Sequence, residues 1–154
     1  MNRTAIRSAL VLLALLVGSW LAFGLRSSRL QDDGDAVLAS THFGPVPAAQ
    51  LKGALDDYAK AGRLSPDQTP LIHQGELLSA VGRQAEALGV AHRATAAEPD
   101  NLQAWYLTFQ VTQPRSAERA YAKKRVRALN PWFDYALQRA RTVQQQNEAQ
   151  AQSH

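Results

Sequence analysis

Three proline-centred breakers divide the chain at a nearly constant interval, and this interval constrains the fold more than any other feature. They lie around Pro66, Pro99 and Pro131, so that their spacings are 33 and 32 residues. The stretches between them are rich in Ala, Leu, Gln and Arg, and none alternates like a strand. Proline stops one helix and fits the first turn of the next, which a neighbouring Asp or Asn can cap. The spacing therefore predicts an all-α chain of stacked helical repeats.

Small residues recur in phase with these prolines. The positions five residues before each proline are Ala61, Ala94 and Val126. The positions twelve residues before each proline are Ala54, Ala87 and Arg119. Small side chains let helices approach closely, so the alanines are predicted to mark the seam between helices. The first two copies keep the pattern, and the third departs from it.

The segment from Gln68 to Asn101 resembles one complete tetratricopeptide repeat, a helix pair of 34 residues. The residues that match the family pattern are Leu71, Gly75, Leu78, Gly82, Ala87, Ala91, Ala94 and Pro99. The next copy starts with Trp105, but Phe109 stands where a small residue is usual and Pro114 replaces the turn glycine. The copy before Gln68 matches only in its second helix, residues 47–63. The resemblance covers most of residues 34–133.

This resemblance implies a short α-solenoid of two to three helix pairs, which a C-terminal capping helix from Pro131 onward would close. In that helix Trp132, Tyr135, Leu137 and Val143 are expected to cover the last open face. The alternative is an unrelated bundle of helical hairpins with alanine-rich seams. The expected organisation is a flank at 1–7, a transmembrane anchor at 8–25, a juxtamembrane linker or helix at 26–46, a tetratricopeptide-like domain at 47–143 and a disordered or frayed tail at 144–154.

The anchor is predicted from the run SALVLLALLVGSWLAFGL, Ser8 to Leu25, which contains 18 residues and no charge. At about 1.5 Å per residue it is about 27 Å long, slightly less than a hydrocarbon core of about 30 Å. Arg7 and Arg26 can snorkel at its ends. The alternative is a cleaved signal peptide, whose apolar core is normally shorter and followed by small residues.

The orientation rests on flanks that are nearly balanced in charge. Arg3 and Arg7 precede the span, and Arg26 and Arg29 follow it. Because the first flank has no acidic residue, we expect the N-terminus in the cytoplasm and the helical domain outside it. A bacterial cell-envelope protein with a single membrane span is the resulting expectation.

Residues with catalytic or metal-binding chemistry are sparse. The chain has no cysteine, which excludes disulfides, thiolate zinc sites and cysteine nucleophiles. None of the 4 histidines is paired at a metal-ligand spacing. His73 and Glu76 share one helix face and are read as a surface pair, and Asp32, Asp33 and Asp35 resemble an incomplete calcium loop. We therefore expect neither an enzyme nor a cofactor or metal site.

A binding groove is what the resemblance implies instead, because the first helix of each tetratricopeptide pair lines a concave surface that receives a peptide or helix. The positions carried over through the matched register are Thr69, Ile72, Glu76, Ser79 and Ala80, then Gln103, Tyr106, Gln110 and Gln113. Such a surface is typical of a scaffold that assists a membrane complex, for example in secretion, cytochrome c maturation or polysaccharide assembly. The sequence leaves the partner and any homo-oligomer open.

A basic run follows the second repeat. Its cations are Arg115, Arg119, Lys123, Lys124, Arg125 and Arg127, and they oppose only Glu118. On a helix Arg119, Lys123 and Arg127 share one face. The alternative function is therefore an anionic membrane-surface protein that binds through residues 115–127. An ordinary solvated helix explains the same run, and nucleic acid is not expected because aromatic residues barely interleave with the cations.

Overall fold

The computed structural model describes residues 3–135, 138, 139, 142 and 143, with side chains from Leu10 onward. The predicted tail at 144–154 and Leu137 lie outside the described residues. Within them the chain is helical and has no strand, which confirms the all-α prediction. The helices are α1 (Arg3–Ser40), α2 (Ala48–Leu64), α3 (Thr69–Ala80), α4 (Gln84–Ala97), α5 (Leu102–Val111) and α6 (Ala117–Leu129).

Successive helices pack as three antiparallel hairpins, α1 with α2, α3 with α4, and α5 with α6. Each hairpin also contacts the next, through α2 with α3 and α4 with α5. In addition, α1 contacts α3, and α3 contacts α5. The first helices of the three hairpins therefore lie side by side along one face of the domain.

The helix α1 has two parts with different surroundings. From Leu10 to Arg26 its residues are exposed, and the helix is long and apolar enough to cross a membrane. From Ser27 to Ser40 the same helix packs against α2, with Val37 and Leu38 against the cluster around Ala54. The segment after the apolar run, predicted as a linker or a helix, is thus helical to Ser40, and it supplies the first helix of the domain.

The breakers end helices rather than start them. Pro66 and Pro99 lie three residues before α3 and α5 begin, whereas the proline inside a first turn is Pro70. Asn101 caps α5, since its side-chain oxygen accepts the Ala104 N–H at 3.1 Å. Gly82 follows α3 with φ +80, a left-handed conformation that glycine adopts without steric cost.

The predicted seam is buried. Ala54, Ala61, Ala87, Ala91, Ala94 and Val126 all have exposed fractions of 3% or less. Gly75 marks the closest approach, because a Cβ built on it would lie 2.5 Å from Leu107 Cδ2 and 3.2 Å from Val90 Cγ1. Small side chains at these positions therefore let α3 approach both α4 and α5.

At the C-terminal end of the domain, the residue that packs against α5 is Phe133, which was not among the predicted capping residues. Phe133 is 5% exposed, whereas Trp132 and Tyr135 are 75% and 62% exposed. The Phe133 ring stands edge-on to Tyr106 and to Phe109, with centroids 6.1 and 5.8 Å away. The expectation that Trp132 and Tyr135 form the cap is wrong, because the turn after Pro131 directs Phe133 toward α5 instead.

Candidate interaction surfaces and polar cluster

The predicted groove positions on α3 differ in accessibility. Ile72 is 1% exposed and belongs to the apolar core, so it presents no side chain to a partner and the expectation for it is corrected. Glu76, Ser79 and Thr69 are half-buried, and Ala80 is exposed. Ser79 also contacts the start of α4, because its Oγ donates to Gln84 Oε1 at 3.4 Å.

The predicted groove positions on and just beyond α5 are exposed. Gln103, Tyr106 and Gln110 follow one another at helical spacing on α5, and Gln113 lies just after the helix ends. Tyr106 is 38% exposed, since Phe133 covers one side of its ring. The accessible part of this surface is therefore one aromatic ring flanked by neutral amide side chains, which donate and accept hydrogen bonds.

The basic positions fall into two groups. Three of them make internal contacts. Arg119 stacks on the Phe109 ring at 4.2 Å and donates to the Thr112 carbonyl oxygen at 2.9 Å. Arg125 pairs with Asp100 at 3.0 Å, and Arg127 pairs with Asp134 at 2.8 Å. Arg115, Lys123 and Lys124 form no ion pair with a described residue. Part of the predicted patch is therefore engaged within the domain, whereas Arg115 and Lys124 are exposed and Lys123 is half-buried.

A polar cluster joins the first three helices. Asp35 of α1 accepts the Tyr58 hydroxyl of α2 at 2.6 Å, and the same oxygen lies 2.8 Å from Nδ1 of His73 on α3. The Tyr58 and His73 rings stand edge to face, with centroids 5.9 Å apart. Tyr58 reaches Asp35 because Gly34 beside it has no side chain; a Cβ there would lie 2.6 Å from the Tyr58 ring.

The surroundings of this cluster raise the pKa of two side chains, Tyr58 and Glu76. Burial raises the pKa of the Tyr58 hydroxyl, and the bond to Asp35 raises it further, so this group stays protonated. Burial also raises the pKa of the Glu76 carboxyl, although the nearby His73 opposes that shift. Chemically, the cluster is a carboxyl–histidine pair to which the tyrosine hydroxyl also donates a hydrogen bond. Its geometry ties α1 to the domain.

Sequence reasoning assigned the members of this cluster to separate features. Asp35 was grouped with Asp32 and Asp33, and His73 was read as the surface partner of Glu76. The available signal was Tyr58 between the seam residues Ala54 and Ala61, because a buried tyrosine hydroxyl requires a partner. Among the residues the structure describes, no three His, Asp or Glu side chains converge as metal ligands.

Comparison of this chain with protein-family models, with curated proteins and with solved structures found no match.

Proposed function

We propose that this protein is a single-pass membrane-anchored interaction module with a tetratricopeptide-like stack of three helical hairpins. Its task is to hold a protein or peptide partner beside the membrane as part of a cell-envelope complex of the secretion, cytochrome c maturation or polysaccharide assembly type. The proposal treats the chain as a non-enzyme without a cofactor.

The solenoid arrangement is supported by the order of helix contacts. Contacts between successive helices and between the odd-numbered helices are those of hairpins stacked in one direction. The alanine seam repeats at the breaker interval, and Gly75 admits the closest helix crossing. In this stack α1 takes the place of a first helix, so the first pair is formed by α1 and α2.

The observation that carries the binding proposal is the exposed face of α5. Tyr106 is an aromatic ring backed by Phe109 and Phe133, and Gln103 and Gln110 flank it. Tyrosine contributes large contact area at low entropy cost, and it is enriched where binding energy concentrates. The neutral amides favour a partner that presents backbone or amide hydrogen-bonding groups.

The membrane-surface alternative through residues 115–127 receives less support. Arg119 and Arg127 of its predicted face are engaged by Phe109, the Thr112 carbonyl oxygen and Asp134. Among the described residues, only Lys123 of that face makes none of these contacts.

A pull-down with the full chain tests the groove. The variant carries Tyr106→Ala and Gln110→Ala, and the matched control carries Tyr121→Ala, an exposed tyrosine on α6. We expect partners that co-purify with the wild type to be lost from the double variant and kept by the control. Retention of every partner by the double variant would contradict the groove.

The proposed orientation places the N-terminus in the cytoplasm and the helical domain outside it. Fusion of alkaline phosphatase or of a fluorescent protein after His154 reports the side on which the domain lies. We expect phosphatase activity without fluorescence. Fluorescence without phosphatase activity would place the domain in the cytoplasm. It would not affect the groove proposal, which the pull-down tests separately.

A further inference from the structure

The packed part of α1 begins directly beyond the apolar segment. Leu25 and Arg26 are exposed, whereas Ser27 is buried and its Oγ donates a 3.3 Å hydrogen bond to the Ala61 carbonyl oxygen. This bond sets Ser27 level with the last turn of α2. Because α1 is helical without a break to Ser40, no flexible linker separates the apolar segment from the domain.

Helix geometry gives the position of this contact along the membrane normal. A rise of about 1.5 Å per residue places Ser27 about 3 Å beyond Leu25, the last apolar residue of the segment. Since α2 runs antiparallel to α1, its end at Leu64 returns about 4.5 Å toward the apolar segment from Ala61. The headgroup layer on each side of a bilayer is roughly 5–7 Å thick. Leu64 therefore returns to about the level of Leu25, and the connection from α2 to α3 begins at the boundary between the hydrocarbon core and the headgroups when the apolar segment spans the membrane.

The side chains at this level suit a phosphate-rich layer. Arg26, Arg29 and Arg63 are exposed, and none forms an ion pair with a described residue. A guanidinium group matches phosphate oxygens with two parallel hydrogen bonds. The acidic residue of the connection, Asp67, already accepts the Thr69 N–H at 2.9 Å.

We propose that the connection between α2 and α3, residues 62–68, lies in the lipid headgroup layer, where Arg63 together with Arg26 and Arg29 faces lipid phosphate. The domain is then held at a fixed height and orientation against the membrane by its α2–α3 edge. This inference rests on the proposed membrane anchoring. It concerns residues 62–68 with Arg26 and Arg29, and not the basic run at 115–127.

Two glycines of α2 provide the test in the full chain. Because the sequence contains no cysteine, Gly62→Cys and Gly53→Cys each accept a single nitroxide label. Both glycines are exposed; a Cβ on Gly53 meets nothing within 4 Å, and one on Gly62 meets only Pro70 Cβ at 3.9 Å. Their separation along the helix axis is about 13 Å. Ser65→Cys gives a second site in the connection.

The labelled proteins are reconstituted in vesicles of phosphatidylcholine and phosphatidylglycerol that include a lipid with a nickel-chelating headgroup. We expect the headgroup nickel to relax the labels at positions 62 and 65 several-fold more strongly than the label at position 53. Equal relaxation at all three positions, in protein that resists alkaline extraction from the vesicles, would overturn this inference and leave the anchor standing. Release of the protein by alkaline extraction would overturn both.

Discussion

Gly34→Ala tests whether α1 docks on α2 as the structure shows, and a matched change separates packing from helix propensity. At Gly34 the added methyl group would lie 2.6 and 2.7 Å from two Tyr58 ring carbons, too close for any side chain. The ring cannot move away freely, because its hydroxyl is bonded to Asp35 at 2.6 Å. At Gly53, on the neighbouring helix, an added methyl group meets nothing within 4 Å.

The magnitude follows from two opposing contributions. Replacing glycine by alanine inside a helix stabilises it by about 0.5–1 kcal/mol, and both variants receive this gain. Overpacking at Gly34 costs about 1–3 kcal/mol, so the net destabilisation of Gly34→Ala should lie between roughly 0 and 2.5 kcal/mol. Gly53→Ala should be stabilised. The difference between the two variants in free energy of unfolding is then about 1–3 kcal/mol, which reports the Gly34–Tyr58 contact alone.

The assay is urea unfolding of the full chain in mild detergent, followed by far-ultraviolet circular dichroism. In a domain of this size each kcal/mol corresponds to about 4–8 °C in Tm, so a thermal scan gives an independent reading. If Gly34→Ala were as stabilising as Gly53→Ala, the Tyr58 ring would not lie against Gly34. The docking of α1 on α2, and with it the depth assigned to the α2–α3 connection, would then be refuted.

Two further predictions concern α3 and α4. Because burial raises the pKa of Glu76, the stabilising contribution of its protonated form is complete below the ordinary glutamate pKa and is lost as pH rises through the elevated value. Glu76→Gln should therefore raise the Tm most at neutral pH, with a gain that disappears in acid; a gain independent of pH would contradict the shift. Ala91→Leu inserts carbons at a fully buried seam position and should cost about 1–3 kcal/mol, whereas Ala96→Leu on the exposed face of the same helix should be nearly silent. Equal Tm values for these two variants would place Ala91 at the surface and invalidate the repeat register.

The sequence alone was sufficient for the elements and for the seam, because both depend on local periodicity. The continuous apolar run defines a helix able to cross a membrane, and the breakers separate the helices that follow it. The alanines recur at the interval of the breakers, so their shared burial could be read from spacing. The resemblance also included Gly75 among its matching positions, and the nearby Leu107 and Val90 explain why no larger residue fits there.

Contacts between distant segments were decided by the tertiary structure. Asp35 is 23 residues from Tyr58 and 38 from His73, and only the crossing of α1 over α2 and α3 brings the three together. The same dependence explains Ile72, which the register placed on the groove and the structure places in the core. A helical sequence repeats its faces every 3.6 residues, but the crossing angle and the neighbouring helices decide which face is covered. At the C-terminal end, the turn after Pro131 likewise decided that Phe133, and not Trp132, packs against α5.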